Sequence, residues 1–128
     1  MTTLDQINPA LICFDTVSIR DLEQMKAVEC DALAFGLIGF SETNDVEIYN
    51  ATEARLAGLR AERQIGQAFF NTVAPCMNNF LVAQRFEEEA ELNEVIDYVL
   101  TLRMRPTKVQ LRLLKQPGIA RRYILVKW

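Results

Sequence analysis

The cysteine within the stretch VAPCMNNF, residues 73–80, is a side chain that could do covalent chemistry. Cys76 follows a proline and precedes small polar residues, which is typical of a loop. A thiolate is a good acceptor for an activated acyl group. Because the chain has no histidine, composition excludes a Ser-His-Asp triad, a Cys-His pair and the helical zinc motif. Most classes of cysteine enzyme are thereby excluded.

The cysteines as a set indicate reduced thiols. Cys13, Cys30 and Cys76 are odd in number, widely separated and without CxxC spacing, so neither a disulfide framework nor a zinc site is predicted. Lone cysteines are often small buried hydrophobes. We expect that packing role for Cys13 and Cys30, and composition alone leaves it open for Cys76 as well.

A second group of polar side chains lies in the stretch IYNATE, residues 48–53. Tyr49 and Glu53 are four residues apart at the start of a predicted helix, so they share a face and can converge on one oxygen atom. Asn50 and Glu53 also have the spacing of a capping box, in which Glu53 would bond back to the Asn50 amide. The residues alone leave both interpretations open.

Length, composition and charge restrict the function classes. The chain has 128 residues, 50% of them hydrophobic, which indicates one globular domain with a real core. Its net charge is −3 with both signs interspersed, so a nucleic-acid partner is not expected. No apolar run is long enough to cross a bilayer, and the start MTTLDQINPA is unlike a signal peptide. We therefore expect a cytoplasmic protein that does not contact a membrane.

The N-terminal region shows helical periodicity. Within VSIRDLEQMKAVEC, apolar residues recur at the spacing of one helix face: Ile19, Leu22, Met25 and Val28. Ser18 is a candidate N-cap, with Asp21 three residues later. The pattern predicts one amphipathic helix.

Strands and short helices are predicted for the rest of the chain. ALAFGLIGF and DVEIYN flank the turn-prone SETND, which indicates a hairpin. A short helix capped by Asn50 and ended by Gly58 follows. Three further strands are predicted, around residues 95–103, 107–115 and 121–128.

This order predicts an α+β fold of the PAS type. We expect a five-stranded antiparallel sheet with short helices on one face and an N-terminal helical cap. Residues 1–30 would form the cap and residues 31–128 the PAS core of a single domain. In such a fold an apolar pocket lies between the sheet and the short helices.

Several stretches resemble the photoactive yellow protein family, in the same order and at nearly the same spacing. They are LAFGLI (33–38), IYNATE (48–53), IGQAFFNTVAPC (65–76), MRPTKV (104–109) and ILVKW (124–128). The similarity covers almost the whole chain after residue 30. The VAPC element is the distinctive part, because generic PAS domains lack this cysteine.

This resemblance implies a blue-light photoreceptor that is neither an enzyme nor a metal protein. Cys76 would carry 4-hydroxycinnamic acid (p-coumaric acid) as a thioester, and Tyr49 and Glu53 would hold its phenolate. A buried carboxyl beside an anion has a raised pKa, so Glu53 would be a neutral donor. Passing its proton to the phenolate after isomerisation would leave a buried carboxylate whose solvation cost drives rearrangement.

The chain departs from the family pattern at several pocket positions. Ala57 stands where a threonine is usual, and Leu59 where an arginine is usual. Leu102 replaces an aromatic residue, and the loop between Phe86 and the third strand is shorter. Met104 matches the family's methionine beside the ring. The resemblance therefore implies a pocket lined by Ala57, Leu59 and Met104, with an altered spectrum.

Two other functions remain open from the sequence. The chain could be a PAS interaction or ligand-sensing module without this chromophore. A thiol redox sensor at Cys76 is disfavoured, because no resolving cysteine or neighbouring lysine accompanies it. For the photoreceptor we expect the chromophore, an unknown downstream protein, and a monomer or weak dimer.

Overall fold

The computed structural model describes residue 8 and residues 11–101 and 105–128 of the chain. Its strands are Gly36–Phe40 (β1), Val46–Tyr49 (β2), Leu92–Leu100 (β3), Thr107–Lys115 (β4) and Arg122–Lys127 (β5). Its α-helices are Ile19–Gln24 (α1), Ala27–Asp31 (α2), Ala51–Ala57 (α3), Ala61–Gln64 (α4) and Ala83–Glu88 (α5). A π-helical turn, Phe69–Val73, and a 3-10 turn, Pro75–Met77, lie between α4 and α5.

The five strands form one antiparallel sheet in the order β2-β1-β5-β4-β3, as the sequence predicts. Ile38 at the middle of β1 lies opposite Tyr49 on β2 and Ile124 on β5. The last strand of the chain is therefore the central one, and β2 and β3 form the edges.

Both faces of the sheet are covered. Side chains of β5 alternate between two apolar clusters, with Ile124 and Val126 in one and Tyr123 and Leu125 in the other. The first cluster, here the helix-side core, contains residues of α3, α5 and the π-helical turn. The second, the N-terminal-side core, contains Phe14 and residues of α1. This arrangement confirms the predicted PAS-like α+β fold with helices on one face and a helical cap.

Four phenylalanines fill the helix-side core. The Phe40 ring stacks on Phe69 with centroids 5.4 Å apart. Phe70 and Phe86 meet Phe40 edge to face, at 5.4 Å and 5.1 Å. Such offset and edge contacts are favourable aromatic geometries. They anchor the π-helical turn that leads into the Cys76 loop.

The predicted single N-terminal helix is wrong, because the structure has two. Met25 has an extended backbone and ends α1, and Lys26, also extended, precedes α2. The Glu29 carboxylate accepts a hydrogen bond from the Lys26 amide at 2.7 Å, which starts the second helix. Val28 is consequently 72% exposed and does not share the buried face. The Ser18 cap is confirmed, since its hydroxyl oxygen accepts from the Asp21 amide at 3.1 Å.

A buried arginine ties the N-terminal segment to the sheet. Arg112 on β4 donates to the carbonyl oxygens of Phe14 at 3.0 Å and Val17 at 2.6 Å. Its Nε donates to Asn93 Oδ1 at 3.1 Å. Only 4% of Arg112 is exposed, so these bonds satisfy a cation that burial would otherwise penalise.

Strand β3 begins three residues before the predicted start at Val95. Its early residues pair with the end of β4, Leu92 opposite Lys115. The acidic stretch EEEAE, residues 87–91, directly precedes β3, so the sequence pattern does not show where the strand begins. Residues 102–104 at the predicted end of this strand lie outside the described residues.

Candidate functional site

Asn50 connects the start of α3 to strand β1. Its Oδ1 accepts hydrogen bonds from the Leu37 amide at 2.9 Å and the Glu53 amide at 3.0 Å. Its Nδ2 donates to the carbonyls of Cys30 at 2.8 Å and Phe35 at 3.1 Å. The predicted cap of α3 is therefore confirmed, and Gly58 ends the helix with a left-handed φ of 73°.

Glu53 does not close a capping box. The Asn50 amide donates to the Leu37 carbonyl at 3.0 Å, so it is not available to the Glu53 carboxyl. Glu53 Oε1 instead accepts a hydrogen bond from the Trp128 indole Nε1 at 2.9 Å. This corrects the capping-box interpretation and places the carboxyl inside the protein, where it is 2% exposed.

Burial makes Glu53 an unusual acid. Loss of hydration raises the pKa of Glu53 to about 7, although the hydrogen bond from Trp128 works in the opposite direction. A carboxyl with such a pKa is a substantially protonated group near neutral pH. It can therefore act as a neutral hydrogen-bond donor.

Gly36 on β1 makes room for this carboxyl. A Cβ atom at position 36 would lie 2.0 Å from Glu53 Oε1 and 3.0 Å from its Cδ. Any other residue at this position would displace the carboxyl. The glycine in the stretch LAFGLI is thus part of the Glu53 site.

Tyr49 lies at the end of β2, directly before α3, and is 6% exposed. Burial, together with the nearby Glu53 charge, raises the pKa of Tyr49. Its hydroxyl forms no hydrogen bond with another described residue. Tyr49 and Glu53 are thus brought together, and the tyrosine has an unused O–H donor.

Cys76 lies in the 3-10 turn and is half-buried against the helix-side core. Its backbone carbonyl accepts hydrogen bonds from the Tyr98 hydroxyl at 2.5 Å and Asn79 Nδ2 at 3.1 Å. Asn79 Nδ2 also donates to the Tyr98 hydroxyl, at 2.7 Å. These bonds fix the loop that presents the thiol.

The thiol lines an open cleft of about 840 Å³ beside the edge strand β3. Tyr98, Val99 and Val109 give this cleft a largely apolar wall. Neither Tyr49 nor Glu53 lines it, and Tyr49 borders a separate cavity of about 450 Å³. Cys76 and Tyr49 thus both pack in or against the helix-side core, but they line two different cavities.

The other predicted pocket residues differ in exposure. Ala57 is buried in the last turn of α3, and Leu59 beyond Gly58 is 37% exposed. Met104 and Leu102 lie outside the described residues.

The two remaining thiols behave differently from each other. Cys30 is buried, as predicted, and burial raises its pKa. The prediction that Cys13 is a packing residue is wrong, because Cys13 is exposed. A hydrogen bond from the backbone of Asp15 lowers the pKa of Cys13, which favours its thiolate.

Sequence reasoning did not find Trp128, Gly36 or the Tyr98–Asn79 pair as site residues. A weak signal existed for Trp128, since a partly buried indole N–H generally needs an acceptor and the chain has one tryptophan. Tyr98 lies on the inward-facing register of β3, which its alternation could have indicated.

Two further kinds of feature are absent from the described residues. These residues contain no group of three or more acidic, cysteine or histidine side chains that could hold a metal ion. Among the described helices, none is long and apolar enough to span a membrane.

Comparisons with known proteins agree with the motif resemblance. No family model matches the chain. It is 36% identical over 95 residues to the photoactive yellow protein of Rhodothalassium salexigens, covering 72% of this chain and 76% of that protein. It is 34% identical over 99 residues to the photoactive yellow protein of Halochromatium salexigens, with 75% and 79% covered. Among solved structures, the photoactive yellow protein domain of the sensor histidine kinase Ppr from Rhodospirillum centenum superposes with a TM-score of 0.76 at 35% identity, covering 83% of this chain and 96% of that one.

Proposed function

Since the chain belongs to the photoactive yellow protein family and has the PAS fold of a sensory domain, we propose that it is a blue-light photoreceptor carrying 4-hydroxycinnamic acid on Cys76. The observation that carries the proposal is the pair of O–H donors formed by Tyr49 and Glu53 in an otherwise apolar core. Burial raises the pKa of Glu53 to about 7, so a large share of the carboxyl carries a proton near neutral pH, and the Tyr49 hydroxyl has no partner among the described residues. Two O–H donors of this kind would suit a phenolate oxygen.

The residues present fit the chromophore. Cys76 supplies a half-buried thiol packed against the helix-side core, to which Tyr49 also belongs, and the thioester would join its Sγ. Tyr49 and Glu53 would hold the phenolic end. When bound, the chromophore supplies visible absorption and a double bond that isomerises.

The signalling role falls to Glu53. Glu53 would supply the proton that passes to the phenolate. With a pKa of about 7, its protonated and ionised forms have similar free energies at neutral pH. Once ionised, the carboxylate would be a charge with little access to water, in contact with Trp128 and beside Gly36. An uncompensated buried charge is costly, so the surrounding segments rearrange to hydrate it.

A downstream partner belongs to the proposal as well. The solved relative from Rhodospirillum centenum is a domain of a sensor histidine kinase. We propose a signalling protein as the partner of this chain, with a histidine kinase as the first class to test.

The test is reconstitution with activated 4-hydroxycinnamate, followed by peptide mapping. We expect a yellow product labelled at Cys76, and a Cys76→Ala variant that stays colourless. The matched control is Cys13→Ser, because the exposed Cys13 thiol, with its lowered pKa, is the competing site for acylation. The control should retain the full colour.

Two outcomes would overturn the proposal. Label found on Cys13 with none on Cys76 would show non-specific acylation. A Cys76 adduct that neither absorbs visible light nor responds to it would favour the alternative of a PAS module that binds another ligand or none.

A further inference from the structure

We propose that Trp128 is a positioning residue for Glu53: its indole N–H holds one carboxyl oxygen and leaves the other to carry the proton. This inference rests on the proposed function for its role in signalling, since it concerns the same carboxyl. The hydrogen bond itself belongs to the protein without chromophore and can be tested there.

The geometry encloses Glu53 between two adjacent strands. Trp128 directly follows β5, and its Nε1 lies 2.9 Å from Glu53 Oε1. Gly36 of β1 is paired with Val126 of β5, two residues before Trp128. The missing side chain at Gly36 leaves the space that Oε1 occupies. The indole and the glycine therefore define one position for this oxygen.

The chemistry of an indole makes the contact directional. An indole N–H can only donate, so Oε1 must offer a lone pair. The carbonyl oxygen of a neutral carboxyl is a better acceptor than its hydroxyl oxygen, so this contact favours the acidic proton on Oε2. That arrangement leaves the O–H free to donate elsewhere in the core. A hydroxyl in the same place would not select the orientation as strictly, because a hydroxyl can also accept.

The contact also favours the ionised form. A hydrogen bond to a carboxylate is shorter and stronger than one to a neutral carboxyl. Trp128 therefore opposes part of the penalty that burial imposes on the Glu53 anion. It would stabilise the charged state that follows proton loss, and hence prolong it.

Few other titratable groups act on this carboxyl. From β2, Tyr49 interacts with it electrostatically. From β1 the facing residue is Gly36, which has no side chain. From α2, Asp31 accepts a hydrogen bond from the Ala51 amide, and no charged side chain of α2 or α4 bonds to Glu53 among the described residues. The Trp128 contact is consequently the main polar contact to test.

The experiment uses the chromophore-free protein, so it does not depend on Cys76 chemistry. Trp128 is the only tryptophan in the chain, and its emission and its single indole N–H resonance therefore report one site. We expect both signals to titrate with a midpoint near pH 7, that of Glu53. Glu53→Gln keeps an acceptor for the indole and should abolish this titration.

A second arm measures Glu53 itself through the infrared band of its protonated carboxyl. Trp128→Phe keeps a ring and removes the N–H, and should raise the Glu53 midpoint by about one pH unit or more. The matched control is Tyr123→Phe, which removes a β5 donor to Glu23 on the other face of the sheet and should leave the midpoint unchanged.

Two results would overturn the inference. One is an indole resonance in the wild-type protein that does not respond to pH between 5 and 9, roughly two units either side of the expected midpoint; it needs no variant to fold. The other is an unchanged Glu53 midpoint in folded Trp128→Phe. Failure to label Cys76 would leave both measurements intact, so failure of this inference and of the proposed function are distinguishable.

Discussion

At the scale of single residues, the protein keeps a carboxyl group where water is nearly absent. Glu53 is 2% exposed, and its polar contact is the Trp128 indole N–H. In the folded protein burial raises the pKa of Glu53 from 4.5 to about 7. Between about pH 4.5 and pH 7, the Glu53 carboxyl therefore keeps its proton in the folded protein and loses it in the unfolded chain.

This pKa makes stability depend on pH. The contribution of Glu53 is fully present below about pH 4.5 and is lost as pH rises through 7, because the unfolded chain loses the proton first. The shift corresponds to about 3 kcal/mol. Glu53→Gln stays neutral throughout, so we expect its free energy of unfolding to exceed that of the wild type at alkaline pH by up to about that amount. Urea denaturation at several pH values checks this, and parallel curves for the two proteins would contradict it.

Gly36→Ala should disturb the same carboxyl from the opposite side. The added Cβ would lie 2.0 Å from Glu53 Oε1, so the carboxyl must move and lose its indole donor. We expect a loss of about 1–3 kcal/mol of stability. Gly39→Ala on the same strand is the control. Its Cβ would lie 3.0 Å from the flexible Arg121 side chain and 3.2 Å from Ile48 Cβ and Tyr123 Cε1, so it has no contact as short as the 2.0 Å at Gly36 and should cost less.

A double variant identifies the cause of the Gly36→Ala loss. Adding Glu53→Ala removes the group that collides, so the two changes should cost less together than their sum. Additive costs in denaturation experiments would show that Gly36 matters for another reason.

At the scale of elements, helix α3 depends on one amide side chain. The Asn50 side chain makes four hydrogen bonds, to Leu37, Glu53, Cys30 and Phe35. These join β1, the end of α2 and α3 at the point from which Glu53 projects. The cap therefore sets the position of the site as well as the start of the helix.

Asn50→Ala should cost more than an ordinary cap. We expect about 3 kcal/mol, because buried donors and acceptors lose their partners in addition to the loss of the cap. Ser18→Ala removes the exposed cap of α1 and should cost about 1 kcal/mol or less. Thermal denaturation of the two variants compares them, and equal losses would contradict the argument.

The elements also show what the sequence can predict. The cap at Asn50 and the stop at Gly58 are local signals, and both are confirmed. The break at Met25 is not visible in the periodicity, because the apolar spacing continues through it. The Trp128 contact to Glu53 spans 75 positions, so no local pattern contains it. Family resemblance points to Tyr49, Glu53 and Cys76, but not to the indole that meets the carboxyl.

At the scale of the whole molecule, the N-terminal segment is attached to the sheet by apolar packing and by Arg112. Phe14, Ile19 and Leu22 pack in the N-terminal-side core. Arg112 adds two hydrogen bonds to backbone carbonyls of this segment. Removing the guanidinium would leave those carbonyls without a donor while the apolar contacts remain.

We therefore expect Arg112→Met to loosen the segment without unfolding the core. Amide hydrogen exchange should rise in residues 14–22 and change little in β1 and β5. Arg85→Met is the control, because Arg85 pairs with Glu89 and Glu94 at the surface. Exchange that rises equally throughout the chain would instead indicate a general loss of stability.

The position of β5 gives the two cores a mechanical connection. Neighbouring side chains of one backbone, Ile124 and Leu125, lie in opposite cores. A strand cannot slide or tilt on one side of a sheet and stay still on the other. Any displacement imposed where Trp128 meets Glu53 therefore strains the packing beneath the N-terminal segment as well. The stiffness of β5 thus determines how far a movement in the helix-side core displaces the N-terminal-side core.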